Sequence, residues 1–253
     1  MSTLTATDLS KTYLLRDGLR FSRLEAVKAV SFELTPGRTV ALVGQSGSGK
    51  STIAKLIAQL ETPTSGTLAL DGRPVGRRGR ALAAYRDQVQ MVFQDPFASL
   101  NPFHSIGHHL ERPLLLHGKA TKQTAREKAL ALLDRVNLSP ASAFIDRKPH
   151  ELSGGQRQRV AIARALAPEP GILVADEPVS MLDVSIRLGV LNLLARLQRE
   201  ENLALLYITH DLATARHFSD EILVMYHGDV VEQGEFNRYL IVIVYQFSSK
   251  FMH

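Results

Sequence analysis

The chain has 253 residues, 45% of them apolar, and a net charge of +5, which is enough for one large α/β unit or two small lobes around an ample core. It contains no cysteine, which excludes disulfides, thiolate metal centres and iron–sulfur clusters. No apolar run nears the roughly 20 residues that cross a bilayer, and no basic segment precedes an apolar one at the N-terminus, so neither a membrane span nor a signal peptide is expected.

In chain order, residues 26–34 and 39–43 are apolar and β-prone and read as strands. The run G-Q-S-G-S-G-K-S follows at 44–51, and 51–60 has helical periodicity. Strand, glycine turn and helix form the context of a phosphate-binding loop. Glycines at positive φ turn successive backbone N–H groups inward, and the helix start adds free donors and the positive end of a dipole. Lys50 is placed to reach the β- and γ-phosphates, and the Ser51 hydroxyl to ligate Mg²⁺. Further strands are expected at 66–70 and 89–93. From about 105 to 167 the pattern turns helical, with Ala125, Ala129, Leu132, Leu133 and Val136 near one face of a helix over 121–136. Pro140 and Pro149 break this stretch before another helix at 153–166. Buried parallel strands are expected at 171–175, 204–209 and 222–226, with a long helix at 185–200 between the first two. A helical insert therefore interrupts an α/β core. In the tail, 235–253, the run 239–247 is apolar and uncharged, the composition of an aggregation-prone strand.

Two further segments carry chemistry. The expected strand at 171–175 leads into Asp176 and Glu177, where the first carboxylate could hold Mg²⁺ and the second could polarise a water. The segment Leu152-Ser153-Gly154-Gly155-Gln156 opens a helix with Ser153 as N-cap, a second anion-seeking helix start in one chain. Basic clusters at 73–80 and 157–164 fit nucleotide handling, an anionic surface or nucleic acid. No aromatic residues interleave them as a single-strand platform requires, so nucleic acid is not expected as a partner.

The run L-S-G-G-Q, followed by R-Q-R-V-A-I-A-R-A-L, resembles the signature of ATP-binding cassette (ABC) ATPases. Other motifs fall in that family's order: Tyr13 resembles the aromatic that stacks on adenine, Gln94 the glutamine loop, Ser180-Met181-Leu182-Asp183 the D-loop and His210 the switch histidine. The resemblance runs from about residue 3 to 234. It implies an α/β P-loop NTPase of the ABC ATPase fold. A RecA-like core with mixed sheet and an antiparallel β subdomain would occupy about 1–94 and 166–234, a helical signature subdomain about 95–165, and the tail 235–253 would stand apart.

The same resemblance implies roles. ATP would contact Tyr13, Gly44, Gln45, Ser46, Gly47, Ser48, Gly49, Lys50, Ser51, Thr52, Gln94 and Asp176, and also Ser153, Gly154, Gly155, Gln156 and Asp183. Mg²⁺ would be held by Ser51, Gln94 and Asp176, and catalysis would fall to Lys50, Gln94, Glu177 and His210. The implied assembly is a head-to-tail dimer with ATP between the subunits. Two phosphate-seeking helix starts would compete within one chain but clamp one triphosphate from both sides across a dimer.

A finer likeness, in V-F-Q-D-P-F-A-S-L-N-P at 92–102 and L-D-V-S-I-R at 182–187, is to the ATPase subunits of peptide and nickel importers. It implies two membrane-spanning permease subunits, a second ATP-binding subunit (a related chain or a second copy), a solute-binding protein acting indirectly, and a place on the cytoplasmic face of the inner membrane. Two features depart from the family: Met181 stands where a small residue is usual, and the usual continuation after 230–234 is replaced. The alternative is the ATPase of a soluble ABC-type complex, for example one serving phosphonate metabolism. A P-loop kinase or GTPase is opposed by the 152–156 signature and by the lack of an N-K-x-D run.

Overall fold

Alternating apolar side chains build a long antiparallel hairpin from β1 (Leu4–Asp17) and β2 (Arg20–Leu34). Strict alternation fails twice, and both failures are local bulges. Asp8 and Ala29 take positive φ, and register shifts beside them bring both Ala6 and Leu9, and both Val27 and Val30, to the buried side. The computed structural model describes residues 2–17 and 20–235, so the tail segment at 239–247 lies outside the described residues.

The chain continues through β3 (Thr39–Gly44), α1 (Lys50–Ile57), β4 (Ser65–Leu70), β5 (Arg73–Pro74), α2 (Gly79–Gln88) and β6 (Val89–Val92). The helical stretch holds α3 (Pro96–Ser99), α4 (Ile106–Leu116), α5 (Ala125–Arg135) and α6 (Gly154–Leu166). Then come β7 (Ile172–Asp176), α7 (Val184–Glu200), β8 (Ala204–Thr209), α8 (Leu212–Phe218), β9 (Glu221–Tyr226) and β10 (Asp229–Glu235). Two sheets result: a four-stranded one in the order β2-β1-β4-β5, and a six-stranded one in the order β10-β9-β3-β8-β7-β6. The second is parallel except for β10. This is an α/β fold with a mixed sheet and a separate antiparallel sheet.

The parallel strands are apolar on both faces because both are covered. Val174, Leu206 and Leu42 face α1 and the antiparallel sheet, while Leu173, Leu205 and Tyr207 face α7 and the helical stretch. The cluster that holds Ile106, Leu110 and Leu133 of α4 and α5 runs on through Val160 to Leu173 and Leu205. The helical stretch thus shares its apolar core with the large sheet.

The basic cluster on α6 turns largely inward. Arg157 donates to the Leu152 carbonyl, Arg159 to that of Val136 and Arg164 to that of Ser99. Burial lowers the pKa of Arg159 and of Arg164. These guanidinium groups tie loops to the helix and offer no exposed stripe.

Periodicity located β3, α5, α6, β7, α7, β8 and β9 to within a few residues. It missed α2, whose Arg78–Gly79–Arg80 start looks like a loop and which buries only Tyr85. It also missed α8, too short for a helical period to register.

Candidate active site

β3 is buried along its whole length and ends at Gly44. The turn that follows works only with glycine at two points. Gly49 caps α1 at φ 107°, and a Cβ there would meet the Ala26 carbonyl at 2.2 Å. A Cβ on Gly44 would meet the Met225 carbonyl at 2.4 Å. The N-terminus of α1 is therefore held open with no side-chain cap, leaving its N–H groups for a ligand.

Beside this turn lies a cleft of about 840 Å³. Its lining includes Gln45, Ser46, Gly47, Gly49, Lys50, Ser51 and Thr52 from the loop, with Tyr13, Gln94, Glu177 and His210 from four other segments. Gly44 and Ser48 support the loop from below; the buried Ser48 hydroxyl has no hydrogen-bond partner among the described residues.

Lys50 is 4% exposed and donates to the carbonyls of Gly44 and Gln45 at 2.8 and 2.9 Å. Burial pushes its ammonium below the ordinary lysine pKa, against the upward pull of Glu177 and then Asp176. Asp176, at the end of β7, is 5% exposed and accepts from Ser51 Oγ at 3.3 Å. Burial raises its pKa; the Ser51 hydrogen bond opposes this, and neighbouring Glu177 adds to it.

Glu177 sits at φ 44°, held by a hydrogen bond from its N–H to the Ile208 carbonyl of β8. That conformation, unusual for a non-glycine residue, aims its carboxylate into the cleft. One oxygen, Oε2, accepts from Gln94 Nε2 at 3.1 Å and lies 3.3 Å from His210 Nδ1. The ends of three neighbouring parallel strands thus deliver the loop after β6, the acid after β7 and the histidine after β8 to one carboxylate.

Tyr13 is on β1, whose pairing with β4 ends at Ser10; at Tyr13 the strand pairs with Leu24 of β2. Its hydroxyl donates to Glu61, whose carboxylate also pairs with Lys11 at 3.4 Å. The Tyr13 hydrogen bond is the largest influence holding the Glu61 pKa low. The ring edge is thereby anchored while the ring lines the cleft. Sequence reasoning missed Leu24 and Ala26, which line the same end. Leu24 pairs directly with Tyr13 across the hairpin, and only that register reveals it.

The signature residues are elsewhere. Ser153 caps α6 and accepts from Gln156 N–H at 3.3 Å, while Gln156 Oε1 accepts from the Ser153 N–H at 2.9 Å. None of Ser153, Gly154, Gly155, Gln156 or Asp183 lines the cleft. Ser153 and Asp183 are both exposed, and the Asp183 side chain makes no cap hydrogen bond. The structure brings Gly44 to Thr52, Gln94, Asp176, Glu177, His210 and Tyr13 together, and leaves the signature on a separate outward surface.

A phosphate loop opening a helix at the end of a parallel strand, with a buried aspartate and a glutamate beside it, defines a P-loop nucleoside triphosphatase. Comparison with known proteins narrows the class. A family model described as ABC transporter matches residues 27–180. The dipeptide transport ATP-binding protein DppF of Haemophilus influenzae is 46% identical over 235 residues, 91% of this chain and 71% of that protein. The oligopeptide transport ATP-binding protein OppF of Escherichia coli K12 is 45% identical over 237 residues, 91% of this chain and 70% of its own length. Among solved structures, the dimeric ATP-binding cassette MJ0796 in a post-hydrolysis state with ADP and phosphate superposes with a TM-score of 0.80 at 32% identity, covering 92% of this chain and 98% of that one. The chain belongs to the ABC transporter family, as an ATP-binding cassette with ATPase activity. No helix among the described residues is long and apolar enough to cross a membrane.

Proposed function

We propose that this chain is the ATP-hydrolysing subunit of an importer for dipeptides, oligopeptides or a similar small solute, working on the cytoplasmic face of the membrane. The observation that carries the hydrolytic part is the convergence of Gln94 and His210 on one oxygen of Glu177 beside the phosphate loop. The importer part rests on the curated relatives, whose names describe dipeptide and oligopeptide transport. They favour this reading over a soluble ABC-type complex.

The free loop N–H groups and Lys50 bind the phosphates, with Lys50 exchanging two backbone carbonyls for phosphate oxygens. The Tyr13 ring, with Leu24 and Ala26, gives the base an apolar surface on which to stack. Ser51 and Asp176 are hard oxygen donors 3.3 Å apart and, with Gln94, would hold Mg²⁺. The described residues contain no cluster of three His, Asp or Glu for a metal, which suits an ion whose remaining ligands are phosphate and water. Bound there, Mg²⁺ would neutralise charge on the phosphates. Glu177 orients a water and takes its proton, and His210 and Gln94 position the carboxylate and the γ-phosphate. Ser153 to Gln156 and Asp183, facing outward, contact the nucleotide held by a second cassette, which is a related chain or another copy.

Two membrane-spanning subunits would supply the pathway, and a solute-binding protein would deliver cargo to them. The test is to affinity-purify the full chain from its source membrane, identify the polytopic proteins that accompany it, and measure ATP turnover with and without peptide and binding protein. Peptide-stimulated turnover in a complex with permeases supports the assignment. Recovery with soluble partners alone overturns it.

A further inference from the structure

We propose that Tyr207 is a positioning residue for hydrolysis: its buried hydroxyl fixes the turn that presents His210 to Glu177. The inference rests on the role given to His210 above. Tyr207 is 0% exposed and lies on the face of β8 that packs into the helical core, edge-on to Phe218 of α8 at 4.9 Å between ring centroids. A phenol buried this deeply needs polar partners. It donates to Thr214 Oγ1 at 3.2 Å. Thr214 Oγ1 in turn donates to the Asp211 carbonyl at 2.9 Å. The Asp211 N–H donates to Thr209 Oγ1 at 3.0 Å, and Asp211 Oδ1 caps α8 by accepting from the N–H of Ala213 at 2.9 Å.

The two residues that flank His210 in the chain are therefore both tied to the phenol by a relay, Asp211 through Thr214 and Thr209 through Asp211. His210 itself has a 59% exposed side chain and, among the described residues, one directional contact, the 3.3 Å approach of Nδ1 to Glu177 Oε2. No described residue holds it from the solvent side, so its aim depends on the turn beneath. Burial, the dominant influence, raises the Tyr207 pKa above the ordinary tyrosine value, so the phenol remains a proton donor throughout the neutral range.

The test is a double-mutant cycle on the full-length chain: wild type, Tyr207→Phe, His210→Ala and the double variant, with kcat, KM for ATP and thermal stability measured for each. Tyr207→Phe is expected to lower kcat about threefold to tenfold, the range one net buried hydrogen bond supplies, with KM within about twofold. In the His210→Ala background the same change should lower kcat no further, while the loss of thermal stability persists. Thr214→Val should reproduce the effect of Tyr207→Phe, and Thr214→Ser, which keeps the hydroxyl, should restore the rate. If His210→Ala lowers kcat but Tyr207→Phe does not, or if the two losses multiply in the double variant, the positioning role is wrong and the hydrolysis assignment stands. If His210→Ala leaves kcat intact, the His210 assignment fails and this inference with it.

Discussion

Gln94 Nε2 donates to Glu177 Oε2 at 3.1 Å, joining the second residue after β6 to the first after β7. Those loops lead to different elements: one into the helical stretch, the other through the exposed Asp183 to α7. The carboxylate proposed to activate water is thus bonded to the entrance of the helical stretch.

Replacing Glu177 with Gln keeps the shape and both hydrogen-bonding partners but removes the base. Turnover should fall by about 10²–10⁴-fold, the usual contribution of a positioned general base. ATP affinity should hold, and because cleavage no longer releases the bridging nucleotide, ATP should drive the variant into a long-lived dimer. Light scattering with ATP and a phosphate-release assay read both effects. Normal turnover in this variant would show that the base is another group.

Lys50 needs a different experiment, because its cost is paid before ligand arrives. Lys50 is buried against two carbonyls and its charge is poorly solvated. Lys50→Ala removes the one Lys or Arg among the described residues that line the cleft. A charged hydrogen bond contributes about 1.5–3 kcal/mol, so ATP affinity should drop by roughly 10–100-fold, as measured by fluorescent-nucleotide titration.

The glycine pair of the signature separates folding from function. A Cβ on Gly155 would lie 2.5 Å from Ile186 Cγ2, whereas one on Gly154 would meet only Leu182 Cδ2 at an ordinary 3.5 Å. Gly155→Ala should therefore destabilise the α6–α7 contact by about 1–3 kcal/mol in chemical denaturation, and Ile186→Ala should recover part of that loss. Gly154→Ala should fold normally yet turn over ATP slowly if this surface grips a partner's nucleotide. Equal stability losses at the two positions would contradict the packing.

How much of this was legible in the sequence depends on the range of the interaction. The phosphate loop reads directly, because Gly44 to Gly49 act through their own backbone and Lys50 and Ser51 follow them in the chain. The approach of Gln94, Glu177 and His210 to one point does not. Those residues lie far apart in the chain, and only the parallel register of β6, β7 and β8 aligns the three strand ends. Leu24 was invisible for the same reason: its place opposite Tyr13 depends on bulges in β1 and β2 that break the period a reader would count. The arginines of α6 look like a basic surface because composition cannot tell a solvated guanidinium from one bonded to an internal carbonyl.

Asp176 gives a prediction in which stability and activity move in opposite directions. Burial raises its pKa in the folded chain, so the folded state binds the proton more tightly than the unfolded one. The associated stability is fully present below the unfolded carboxylate pKa, near about 4, and is lost as pH rises through the folded value. At neutral pH the nucleotide-free chain therefore carries a net cost for this charge. Asp176→Asn removes that cost and can still accept from Ser51, so the melting temperature at pH 7–8 should rise. A gain of about 1 kcal/mol corresponds to roughly 2–4 °C in a domain of this size. The gain should shrink as the buffer is taken down toward pH 4, while ATP hydrolysis at neutral pH should be lost, because the site has surrendered its buried anionic oxygen. Thermal unfolding of both proteins across pH, without nucleotide, decides it: an Asn variant less stable than wild type at pH 8 would mean that the charge is satisfied in the folded chain and that the raised pKa is wrong.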